Sequence, residues 1–173
     1  MKHLNLVTSI GIILLTLALV FPSQQAQAEN ASESYQMSVV LDRAYGDVVS
    51  SGNFEKAILR ISSHYSRFPY ATATNLCVAH TMVGQFKHAE HYCDEALEEA
   101  EKAAARGSRK GRDYAAEWAL AYSNRGVLRA RMGDTPGAEE DFRMAIELKA
   151  DTQMPMNNLA HLNRELGGSF VAK

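Results

Sequence analysis

The chain has 173 residues, a formal net charge of −2 at pH 7 and 22% charged residues. That balance excludes a dedicated nucleic-acid binder, which carries a marked basic excess. The length suits one domain with its own core.

The N-terminus has the layout of a secretory signal peptide. Met1-Lys2-His3 is a short basic start, and Ile10 to Phe21 is an unbroken apolar run of 12 residues. Pro22 ends the run, and Ala26-Gln27-Ala28 is a small-x-small cleavage site. The run is shorter than the roughly 20 residues that cross a bilayer, so no membrane span is expected after cleavage behind Ala28. Losing Lys2 leaves 17 basic against 20 acidic residues, a net charge near −3. The expected location is the periplasm or the exterior. Residues 29–33 read as a short linker and 34–173 as one all-α domain.

Four stretches then align: Ser51–Ala57, Val83–Ala89, Met132–Ala138 and Leu166–Ala172. Each has a glycine followed five residues later by an alanine. The glycines are Gly52, Gly84, Gly133 and Gly167, separated by 32, 49 and 34 residues. Around each, apolar residues recur at helical spacing, as in Gly126-Val127, Ala130 and Met132 before the turn and Ala138, Phe142 and Ala145 after it. Each unit is therefore expected to be a helix, a tight glycine turn and an antiparallel helix. Thr135 is expected as the N-cap of one second helix, with Pro136 at its first position. Alternating apolar and polar strand patterns are not expected.

With these residues in register, the chain resembles the tetratricopeptide repeat (TPR) family. The unit from Ala119 to Thr152 supplies Tyr122, Gly126, Gly133, Ala138, Phe142 and Ala145. The unit from Tyr70 supplies Asn75-Leu76, Gly84, Phe86, Ala89 and Ala96. The unit before it supplies Gly52, Phe54, Ala57 and Pro69, and the last supplies Asn158-Leu159-Ala160 and Gly167. Arg125 and Arg129 depart from the consensus. The resemblance covers about Ser34 to Lys173 and implies an α-solenoid of about three repeats. A C-terminal helix from Pro155 to Leu166 would cap it. Such hairpins cannot bury their apolar faces singly and must stack.

The resemblance also implies a peptide-binding concave face built from the first helix of each repeat. The matching residues are Asn75, Val78 and Met82, then Asn124, Val127 and Arg131, then Asn158 and His161. The three asparagines share one repeat position. An amide there can bond a ligand backbone through both its donor and its acceptor, and it can equally be structural. The carboxylate clamp of some family members is not expected, because Thr74, Ser123 and Asn157 stand where it needs lysine.

The 49-residue separation holds an insertion at about 98–113. Glu98 to Ala105 has high helix propensity and is expected to lengthen the preceding helix. Arg106, Arg109, Lys110 and Arg112 are then expected to form a basic loop, either a docking site for an acidic partner, a membrane surface or a glycan, or a solvated loop. Tyr114, Trp118 and Tyr122 form a stripe at spacing four, read as core.

No catalytic signature is present: no phosphate-binding glycine loop, no HExxH and no GxSxG. No enzyme and no cofactor are expected. His88 and His91 are read as surface residues, and the histidines of the second repeat as separating onto different faces. Cys77 lies seven residues before Gly84 and Cys93 nine after it, which brings them side by side across the hairpin. Three readings stay open: a disulfide, a metal site of Cys77, Cys93 and His80, and two reduced thiols. The function expected is a non-enzymatic adaptor or scaffold for a protein or peptide partner. The alternatives are a metal- or redox-responsive binding protein and an assembly subunit joined through its solenoid ends.

Overall fold

The computed structural model describes residues 34–41, 45–63, 68–105, 114–149 and 153–171, the last four without their side chains. The expected signal peptide, the expected 29–33 linker and the expected basic loop of Arg106, Arg109, Lys110 and Arg112 lie outside these residues. The described chain is all-helical, with no strand among the described residues. Seven helices follow in order: α1 Gly46–Ser50, α2 Phe54–Ser62, α3 Pro69–Met82, α4 Phe86–Ala105, α5 Tyr114–Met132, α6 Thr135–Leu148 and α7 Gln153–Val171.

Local chemistry sets the boundaries. Asn53 caps α2 by accepting from the Lys56 amide, and Pro69 opens α3 at a position whose N–H has no helical partner. Gly52, Gly84 and Gly133 take φ of 79°, 75° and 83° at the three tight turns, a left-handed conformation that side chains resist. Helix α4 runs 20 residues because Glu98–Ala105 continues it without a breaker, and Lys102 bonds both Glu98 and Glu99 along it.

Each helix packs on the next, most extensively α3 on α4 and α5 on α6. Helices α1, α3, α5 and α7 also touch in sequence and form one layer. The core lies between that layer and α2, α4 and α6, filled by Ile61, Leu76, Leu97, Leu128, Phe142 and the small residues Ala57, Ala89 and Ala138. Trp118 and Tyr122 pack against one of its clusters.

Four details differ from the sequence reading. Gly167 is not a turn. Helix α7 runs through it to Val171, and its φ is not positive. A turn glycine takes a left-handed φ where a second helix folds back, and the described chain has no helix beyond α7. The N-cap of α6 is Asp134, whose carboxylate accepts from the Gly137 amide, with Thr135 already helical. The first hairpin has only a five-residue helix, α1. Ahead of it, residues 35–41 are neither helical nor part of a sheet, and residues 36, 38 and 40 bond to one side as in an extended chain. A strand-like alternation is present after all: Tyr35, Met37 and Val39 alternate with Gln36 and Ser38. Leu41 lies against the start of α1, where a side chain on Gly46 would meet the Leu41 Cα at 2.6 Å. Glycine is what permits that approach.

Candidate peptide-binding face

Asn75, Asn124 and Asn158 project from α3, α5 and α7, each at most 1% exposed. A buried amide is costly unless its donor and acceptor are both met. Here the extended segment meets them. The Gln36 amide donates to Asn158 Oδ1 at 2.8 Å, and Asn158 Nδ2 donates to the Gln36 carbonyl at 2.8 Å. Ser38 and Asn124 exchange the same two bonds at 2.8 and 2.9 Å. Val40 and Asn75 exchange them at 2.9 and 3.0 Å. In an extended chain the N–H and C=O of one residue point the same way, and alternate residues share a side. Three side-chain amides therefore stand in for a neighbouring strand. The segment runs from α7 towards α3, opposite to the order of the helices.

The intervening residues face the core. Tyr35 packs on the cluster of Val127, Ala138, Phe142 and Leu162, and Val39 on that of Val48, Val49, Leu76 and Val78. Met37 touches both, and also the cluster around Cys77 and Cys93. The His161 ring meets Tyr35 edge-on, 4.4 Å between centroids. The Tyr35 hydroxyl donates to Glu165, which also pairs with His161. Burial and the Glu165 carboxylate push the Tyr35 phenol well above its ordinary value, so it stays a donor.

The six amide bonds contribute roughly 0.5–1.5 kcal/mol each. Ordering the backbone costs roughly 1–2 kcal/mol per residue. The bonds therefore set register and direction, while the packing of Tyr35, Met37 and Val39, and of Val40 against the cluster of Tyr70, Ala73 and Ala96, supplies the rest.

The eight residues expected on this face divide three ways. The asparagines and His161 contact the segment directly. Val78 and Val127 are buried beneath it, in clusters that Met37 also touches. Met82 and Arg131 stand exposed at the turn end, where the guanidinium reaches the Met82 sulfur at 3.4 Å. Glu165 and the segment itself were missed by the sequence reading. The alternation from Tyr35 to Val39 was the signal that could have found the segment.

Across the second hairpin, Cys77 and Cys93 form a disulfide with Cα atoms 4.8 Å apart. Both are fully buried. The bond leaves His80 without thiolate neighbours for a metal. The histidines do not all separate: His80 stacks on Tyr92 at 5.3 Å and lies 5.2 Å from the exposed His88. His80 Nδ1 is 2.7 Å from Gln85 Oε1. Burial lowers the His80 pKa, the Gln85 bond opposes this, and His88 adds to it. Among the described residues no group of three His, Cys, Asp or Glu side chains is placed to hold a metal.

The departures Arg125 and Arg129 converge on Asp141, which is 1% exposed. Arg125 binds both its oxygens at 2.9 Å, Arg129 reaches it at 3.1 Å, and Arg125 also pairs with Asp94 on α4. Burial pushes the Asp141 carboxyl upward against the pull of the two guanidiniums. This network ties α4, α5 and α6 together. Comparison of the chain with family models, curated proteins and solved structures finds no match.

Proposed function

We propose that this is an exported α-solenoid of TPR-like repeats, acting as a non-enzymatic adaptor or scaffold of the cell envelope. Its α3–α5–α7 face binds an extended segment of a protein or peptide partner. One observation supports this reading above the rest: Asn75, Asn124 and Asn158 each pair both backbone groups of alternate residues in an extended segment. Amides that bond only backbone accept many sequences, and flanking pockets then select among them. The disulfide is compatible with an oxidising compartment.

The test is a photo-crosslinking residue at Arg131 of the full chain, used in the native periplasm. The captured stretch is mapped by mass spectrometry. A defined partner segment is expected, with capture lost in the Asn75→Ala/Asn124→Ala/Asn158→Ala chain. Capture unchanged by the triple substitution contradicts the reading.

A further inference from the structure

We propose that Tyr35–Val40 is an internal ligand that an external segment of the same pattern replaces. The external ligand is an extended protein segment with an aromatic, a long flexible apolar and a β-branched residue at alternate positions, in the places of Tyr35, Met37 and Val39. This rests on the reading of the α3–α5–α7 face as a peptide site.

Three observations carry it. The segment is attached as ligands are: the bonds that hold its alternate residues run to side-chain amides of three helices, which would pair equally with any extended backbone. Its residues 35–40 are only half-buried, between exposed Ser34 and an exposed Leu41. The amides it meets are fully buried with the segment in place. If the segment leaves, Asn75 and Asn124 lose the bonds it gives them and Asn158 keeps only its bond to Ser123 Oγ at 3.3 Å, and a replacement backbone restores all six bonds.

The pattern defines the occupant. The residues in the places of Gln36, Ser38 and Val40 must each offer an N–H, which excludes proline there. The Met37 side chain reaches three clusters at once, a place for a long unbranched side chain and not for a charge. The ligand must run from α7 towards α3. The tethered segment competes at an effective concentration on the order of mM, so the unmodified chain should bind an external ligand weakly.

The test uses the full chain, its Ser38→Pro variant and a fluorescent peptide of residues 34–41. Proline removes the N–H given to Asn124 and loosens the segment without touching the face. The variant should bind the peptide at least tenfold more tightly than the unmodified chain. A peptide carrying Met37→Asp should bind at least tenfold more weakly. Equal affinity of the two chains overturns the inference and leaves the face a binding site. No binding by a Ser38→Pro chain whose Gln36 and Val40 amides exchange freely overturns the underlying reading, and the inference with it. A concentration-dependent dimer of the unmodified chain, lost in Ser38→Pro, would make the occupant a second copy's segment and overturn an external ligand. Amide exchange on the unmodified chain stands independently of how the variant folds. The Gln36, Ser38 and Val40 amides should exchange at least a hundredfold faster than those of Ala121–Leu128. Equal rates would make the segment a fixed part of the core and overturn the inference.

Discussion

The α3–α4 and α5–α6 hairpins use the same positions for different interactions. Counted from Gly84 and Gly133, Cys77 and Gly126 both stand seven residues before the turn, and Cys93 and Phe142 nine after it. In one hairpin these positions carry a disulfide. In the other, the Phe142 ring lies on Gly126 so closely that an added Cβ would meet Cε1 at 2.6 Å. The neighbouring positions repeat the contrast. His80 and Arg129 are both four residues before the turn, Tyr92 and Asp141 both eight after it. One pair is a ring stack, the other an ion pair. The hairpin geometry asks for a close, complementary contact at each place and leaves its chemistry open. Helical hairpins of this kind can therefore differ in sequence while keeping their packing.

The comparison can be broken at each contact. Phe142→Ala should have the largest effect, because the ring is fully buried in the α5–α6–α7 cluster. The expected loss is roughly 3–5 kcal/mol, read from chemical denaturation. Breaking the other hairpin with Cys77→Ser/Cys93→Ser should cost about 3 kcal/mol, as for a loop of similar length. The unmodified chain should titrate no free thiol until it is reduced and unfolded. Two titratable thiols in aerobically purified, unreduced protein would contradict the disulfide.

The smallest effect sharpens the second contrast. Burial holds the His80 pKa below its ordinary value of 6.5. The unfolded chain then takes up that proton at a higher pH than the folded one. Stability should be fully present above about pH 6.5, and should fall as pH drops from there to the lowered folded value. His80→Tyr should remove that part of the slope, measured as denaturation midpoints between pH 7 and pH 5. An unchanged slope would show that His80 is not the group responsible.

How much of this was legible in the sequence depends on range. Gly52, Gly84 and Gly133 announce their turns locally, because a left-handed φ is a property of one residue. The meeting of Cys77 with Cys93 followed from hairpin register alone. Gly167 carried the same local signal, but a turn also needs a returning helix, and α7 simply continues. The Asp134 cap was misplaced by one residue, since Asp and Thr both accept at such positions. The pairing of Gln36 with Asn158 spans 122 residues, and no periodicity reports a contact of that kind. The asparagines were legible as amides suited to a backbone. That the backbone present would be the chain's own was not, although Tyr35 to Val39 alternates as a strand does.

The central claim is that alternate residues of an extended segment are held by Asn75, Asn124 and Asn158. Residue-resolved amide exchange on the full chain tests it most directly. The amides of Gln36, Ser38 and Val40 should be slowed relative to those of Met37 and Val39, and Asn124→Ala should release Ser38 most strongly. Uniform exchange across residues 35–40, unaltered by Asn124→Ala, would contradict it.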